Sequence, residues 1–158
     1  MTRKIWLDDT PYNWLERNLK RLGTTMLLSA IYDIALGLSL FLFRSWFANL
    51  LHLSTLQDQA HLGFWALSHL ILPCFCVLAW MDTKRNVVIV TGAIIARTIY
   101  AMFMFASILF GNAHPIWAVF GGISLAFGLA HYILLRLSDF GFWEILSRAG
   151  NPPGMKRR

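Results

Sequence analysis

The sequence predicts an all-α integral membrane protein, a bundle of four spanning helices with short interfacial amphipathic helices at the termini. Three observations carry this expectation. The 158-residue chain is 57% hydrophobic and only 14% charged, where a water-soluble domain carries roughly 25% charged residues. Its charges bracket four apolar runs, each close to the ~20 residues a helix needs to cross hydrocarbon. Polar or helix-breaking links separate those runs. Disorder and a disulfide-stapled secreted fold are excluded by the same composition.

Residues 1–21 read as an N-terminal interfacial segment, with Ile5, Trp6, Trp14, Leu15 and Leu19 interleaved with charges. Tryptophan is favoured at headgroup depth. The first apolar run starts too late for a cleavable leader, so the first span is expected to act as its own insertion signal. That span covers residues 22–43 and holds one charge, Asp33. Arg44 to Asp58 is half apolar and is expected to lie on the membrane surface. The second span, 59–81, has no charge, and Asp82 to Asn86 forms a tight polar turn after it. The third span, 87–110, holds one charge, Arg97. No Asp, Glu, Lys or Arg occurs between Thr98 and Leu135, a stretch too long for one crossing. Gly111-Asn112-Ala113-His114-Pro115 divides it, placing the fourth span at 115–135. The bundle then occupies 22–136. Residues 137–158 form a second interfacial segment (Phe140, Phe142, Trp143, Ile145, Leu146) and a basic tail expected to be loose from Gly150.

The net charge is +6. Twelve lysines and arginines fall on the side that holds both termini and the 82–86 link, against Arg44 alone on the other side. The positive-inside rule therefore places both termini in the cytoplasm. The excess positive charge reads as an orientation and anionic-lipid signal, and no nucleic-acid partner is expected.

Asp33 and Arg97 each sit about ten residues from the cytoplasmic end of their spans, near ~15 Å depth at 1.5 Å per residue. A lone charge there costs at least ~2.5–3.5 kcal/mol on insertion scales. Equal depth makes a mutual ion pair facing the bundle interior the expected solution. Small residues flank both at four-residue spacing: Ser29 and Gly37 beside Asp33, Ala93 and Ala101 beside Arg97. Tyr32 and Tyr100 are expected to offer hydroxyls to the pair, with His69 as a further member of the polar centre. Such a centre serves either helix register alone or a ligand, proton or lipid-headgroup site. Ala118, Gly122, Ala126 and Ala130 form a small-residue ladder on span four and are expected to be a helix-packing face.

Other constellations are weaker. His69 and His131 are the candidate haem or pigment ligands. Their depths, ~18 Å and ~8 Å, argue against one shared haem. His52, His61 and His114 share the non-cytoplasmic side and are candidate ligands for a divalent metal, although their spacing matches no ligand motif. Ordinary hydrogen-bonded or interfacial histidines are the plainer reading of all five. Cys74 and Cys76 project about 200° apart on a helix, so no bridge joins them. Pro73 in span two loosens that helix, which either opens a lateral cleft or is plain packing. Asp139-Phe140-Gly141 spells a kinase triplet without kinase context. No nucleophile elbow, phosphate loop, zincin motif or paired catalytic carboxylates occur, so nothing argues for an enzyme.

In chain size, cytoplasmic termini, Tyr32-Asp33 followed by Gly37 and the intramembrane Arg97, the layout over residues 20–136 resembles the small four-span bacterial membrane proteins of the DoxX-like type. That resemblance implies a bacterial inner membrane and, for some members, association with respiratory or quinol-linked complexes. It transfers no catalytic or cofactor residue. The leading functional expectation is a non-catalytic subunit or accessory protein. It would pack in a larger energy-converting or transport assembly or against copies of itself. The alternative is a small binding or transport module for a quinone, lipid or other amphipathic ligand at a midplane Asp33/Arg97 site. A third reading is an intramembrane enzyme acting on a lipid-like substrate.

Overall fold

The computed structural model describes residues 11–51, 56–111, 113–142 and 145. Five helices follow one another: α1 (Pro11–Leu42), α2 (Arg44–Leu50), α3 (Leu56–Met81), α4 (Val87–Gly111) and α5 (Trp117–Leu137). Four of them, all but α2, are long and apolar enough to cross a membrane. The protein is thus an all-α, multi-pass membrane bundle.

α1 is 32 residues long, about 48 Å at 1.5 Å per residue, against ~30 Å of hydrocarbon. No glycine or proline interrupts residues 12–22. The described part of the N-terminal interfacial segment therefore continues into the first span without a break, and its first turns project beyond the bilayer. Asn18 on this extension is buried and donates its side-chain N–H to the Leu137 carbonyl at 3.1 Å. That bond ties the start of α1 to the end of α5. The short α2 is amphipathic: Phe47 and Ala48 turn inward while Trp46 stays exposed.

Around the bundle, α1 packs on α3 and α5, and α4 packs on α5 and α3. α1 and α4 face each other across a diagonal. α3 and α4 pack less closely than the α1–α3 and α4–α5 pairs. The interior has three layers. One apolar cluster joins Leu22, Met26, Ala30, Ala79, Val90, Ile94 and Leu135. The other joins Leu36, Leu40, Leu62, Trp65, Ala66 and Met104 with Phe47 of α2. Between them lies a polar layer containing Asp33, His69 and Arg97. The outside is the reverse of a soluble protein, with large apolar side chains such as Phe41, Phe64 and Phe110 exposed. Patches of this extent are lipid-facing surface.

Close helix approach depends on four glycines. A Cβ on Gly37 would meet the Ala66 carbonyl at 3.1 Å, and one on Gly23 would meet Thr83 Oγ1 at 2.8 Å. These bring α3 against α1. On α5, Gly121 faces Met104 and Gly128 faces the Cβ of Arg97 at 3.4 Å.

The expected packing ladder on span four is corrected by this arrangement. The buried residues of α5 are Gly121, Ser124, Gly128, His131 and Leu135, whereas Ala126 is exposed and Ala118, Gly122 and Ala130 are half-buried. A strict four-residue step over-rotates by about 40° each time on a 100°-per-residue helix. Ala118 and Ala130 thus diverge by about 120° and cannot share one face. Alternating steps of three and four keep the 121/124/128/131/135 series aligned.

The links are held by their own polar groups. Asn86 donates to the Leu78 carbonyl at 2.8 Å, and Asp82 Oδ1 accepts from the Arg85 amide at 3.1 Å. Those bonds close the α3–α4 turn. α5 ends in a Schellman arrangement: the Phe140 amide donates to the Leu135 carbonyl and the Asp139 amide to the Arg136 carbonyl. Asp139 occupies the left-handed position, with φ 59°, where glycine is the unstrained residue. Asp139→Gly is expected to stabilise the protein by about 0.5–1 kcal/mol, seen as a higher unfolding temperature in detergent. The kinase-like triplet is therefore a helix stop. The tail beyond 145 and the first ten residues lie outside the described residues.

Candidate functional site

The polar layer is assembled from three helices. α1 supplies Asp33, α3 His69, and α4 Arg97 and Tyr100. The guanidinium of Arg97 crosses the α1–α4 diagonal and donates from Nη2 to Asp33 Oδ2. Both side chains are buried, Asp33 completely. The long arginine stem makes this reach available where the backbones are too far apart for direct packing. Opposite unit charges compensate each other, so neither carries its full desolvation cost alone. The face of Phe127 on α5 lies 5.1 Å from the guanidinium carbon, adding a cation–π contact.

His69 completes a chain. Its Nδ1 lies 3.0 Å from Asp33 Oδ1 and its Nε2 3.4 Å from the Tyr100 hydroxyl. A carboxylate beside an arginine can only accept, so the network assigns the imidazole proton to Nδ1. Nε2 then accepts the Tyr100 O–H. Trp65, one helical turn before His69, stacks on Trp117 at 4.9 Å and lies edge-on to His69 at 5.8 Å. An aromatic lid thus covers one side of the layer.

Beside the layer, between α3 and α4, lies a cleft of about 360 Å³. Its mouth is mainly apolar (Ile71, Leu72, Phe75 and Ala96, with Ser68 beside them), and its floor is polar, with His69, Arg97, Tyr100 and Ser124. The sequence explains where it opens. Pro73 sits four residues after His69 inside α3, so it cannot supply the amide proton that would bond the His69 carbonyl. α3 also packs less closely on α4 than on α1. Ser124 on α5 donates to the Arg97 carbonyl at 3.3 Å and closes the back of the cleft.

Of the residues singled out from sequence, Asp33, His69, Arg97 and Tyr100 are brought together. Tyr32 is not part of the hydrogen-bond network. Its ring packs at a tilt of 39° against Phe127 at 5.7 Å instead, and among the described residues its hydroxyl makes no hydrogen bond to the pair. A residue adjacent to an inward-pointing one is rotated about 100° from it, which turns Tyr32 toward α5. Both ring nitrogens of His69 have hydrogen-bond partners within the polar layer. His131 is fully buried, stacks on Phe127 at 6.2 Å and does not line the cleft. Both of its ring nitrogens are buried without a hydrogen-bond partner among the described residues. His114 caps the start of α5, its Nδ1 accepting from the Ile116 amide at 3.3 Å. His52 and the side chain of His61 lie outside the described residues. Among the described residues no three His, Cys, Asp or Glu side chains gather as a metal site. Cys76 is buried and receives the Ser29 hydroxyl at 3.7 Å, while Cys74 is exposed; the two face apart.

Sequence reasoning missed Trp65, Phe127 and Ser124. Their signal was register. Trp65 lies four residues before His69, Ser124 lies on the three/four series of α5, and Phe127 lies three residues after Ser124, beside that series.

Fold and site together define a class: a four-span membrane protein whose mid-bundle polar layer is charge-compensated and borders a side cleft. Comparison with protein-family models, curated proteins and solved structures finds no match.

Proposed function

We propose that the chain is a small binding module of a bacterial inner membrane that receives the head of a lipophilic molecule sideways from the lipid. The observation that carries this reading is the α3–α4 cleft, a mainly apolar mouth leading to a polar floor in the middle of the bundle. Small-molecule sites are typically concavities of about 300–1,000 Å³ with apolar walls and a few convergent polar groups. A quinone, a lipid or another amphipathic molecule meets that description. The charge asymmetry of the loops supports cytoplasmic termini. Arg17, Lys20 and Arg21 line a groove at the start of α1, where anionic headgroups of the bilayer are natural neighbours. Kinship with DoxX-like proteins rests on the Tyr32-Asp33…Gly37 and Arg97 positions.

A second reading, an accessory subunit in a larger membrane assembly or a homo-oligomer, is favoured by one feature. Gly122 and the exposed Ala126 are not consumed by the bundle's own packing, and a Cβ on Gly122 meets nothing within 4 Å.

Ala96 is small, lies in the cleft wall and is exposed, so Ala96→Trp plugs the cleft without disturbing the core. Native mass spectrometry of protein purified in mild detergent is expected to show a small lipophilic adduct on the unaltered chain. The adduct should be lost in Ala96→Trp at unchanged unfolding temperature. Equal small-molecule content in both proteins would overturn the binding reading. Near-stoichiometric co-purifying membrane proteins in both would favour the second.

A further inference from the structure

The hydrogen-bond inventory of the polar layer narrows the chemistry of the head it can hold. This step rests on the binding reading above and adds the identity of the recognised group. Asp33 accepts from Arg97 and His69, and His69 in turn accepts from Tyr100. Among the described residues that line the cleft, one buried polar atom has no partner, Arg97 Nε. It can only donate. The ring nitrogens of His131 and Trp65 Nε1 are also unpartnered, but neither residue lines the cleft. The floor itself is therefore short of an acceptor. The orphaned donor carries a desolvation penalty that an incoming oxygen would remove.

Charge narrows it further. Asp33 and Arg97 cancel, and the nearest titratable neighbours are His69 from α3, Tyr100 from α4, His131 from α5, and Tyr32 and Cys76 at the edge of the layer. The ion pair itself leaves no net charge on the floor. An anionic head would bring an uncompensated charge to mid-bundle, where nothing offsets its desolvation. A head that only donates would leave Arg97 Nε as it is.

We infer that the head is a neutral carbonyl oxygen on a lipophilic molecule, of the ketone, quinone or ester type, accepting from the Arg97 guanidinium edge. The apolar remainder lies against Ile71, Leu72 and Phe75 in the cleft mouth.

Three probes of matched shape test this: 4-decylacetophenone, its alkene isostere 4-decyl-α-methylstyrene, and 4-decylbenzoate. The full chain, labelled with 15N-arginine, is placed in phospholipid nanodiscs and titrated while the buried Arg97 Nε–H resonance is followed. The ketone is expected to shift that resonance saturably and to bind at least about tenfold more tightly than the alkene, the range of a hydrogen bond to a charged donor. The benzoate should bind no better than the alkene. Ala96→Trp, whose fold is checked by the unchanged positions of the other arginine signals, should abolish the shift. If all three probes bind alike and Ala96→Trp blocks them, the cleft stands and the carbonyl inference is overturned. If the benzoate binds best, the head is anionic and the inference likewise fails. If no probe binds saturably to the unaltered chain, the binding reading itself falls.

Discussion

Replacing Asp33 by asparagine is expected to destabilise the bundle by about 3 kcal/mol, and replacing it by leucine by about 5 kcal/mol. Asparagine keeps the shape of the side chain but only one of the two acceptor oxygens, and its NH2 group then faces Arg97 or His69 donor to donor. It removes the charge and one acceptor. The guanidinium then sits buried with no counter-ion, and arginine cannot escape by losing its proton. Leucine removes the acceptors as well, stranding the Nδ1–H of His69. The double variant Asp33→Leu, Arg97→Met should recover most of the loss, because a buried pair exchanged for apolar side chains of similar volume is often neutral or better. Unfolding in detergent, followed by tryptophan fluorescence, measures all three. Strong non-additivity between the two positions is the expected signature of direct contact. A neutral Asp33→Asn would show that the guanidinium draws its compensation from elsewhere, and the coupled layer described above would be wrong. The double variant also separates stability from binding, since a folded bundle without the Arg97 guanidinium on the floor should lose the carbonyl preference of the cleft.

What could be read beforehand was governed by the cost of charge and by periodicity. The four spans were visible because lipid tolerates so few charges that each link announces itself. Asp33 and Arg97 pointed to each other because both were expensive and lay at one depth. His69 was placed at a greater depth by counting from Met81, yet its ring meets Asp33. A side chain several ångströms long covers such a difference. The face of α5 was misread because a four-residue ladder looks regular on paper but winds around the helix. Tyr32 was grouped with Asp33 by adjacency, although adjacent helical residues point about 100° apart. The cleft was half legible. Pro73 marked a weak point in α3, but nothing in one sequence says that α3 and α4 are the pair that fails to close over it.

Gly37→Val is expected to cost about 3 kcal/mol, the upper part of the range for inserting volume into a packed interior. The reason lies in what the new carbon atoms meet. A Cβ at this position stands 2.9 Å from Leu70 Cδ2 and 3.1 Å from the Ala66 carbonyl oxygen. Leucine can rotate its branch away. The carbonyl belongs to the α3 backbone and yields only if the whole helix moves, and the γ carbons of valine enlarge the overlap. Gly122→Val is the control. A Cβ there meets nothing within 4 Å, and apart from the modest helix penalty of a β-branched residue its effect should stay within about 0.5 kcal/mol. The consequence of Gly37→Val reaches the polar layer, because Ala66 and Leu70 lie on the same stretch of α3 as His69. Pushing that stretch away from α1 lengthens the 3.0 Å contact between His69 Nδ1 and Asp33 Oδ1. The variant should therefore lose ligand retention as well as stability, whereas Gly122→Val keeps both. Equal unfolding temperatures for the two variants would mean that α1 and α3 are not held together at Gly37, and the position of His69 would then need another cause.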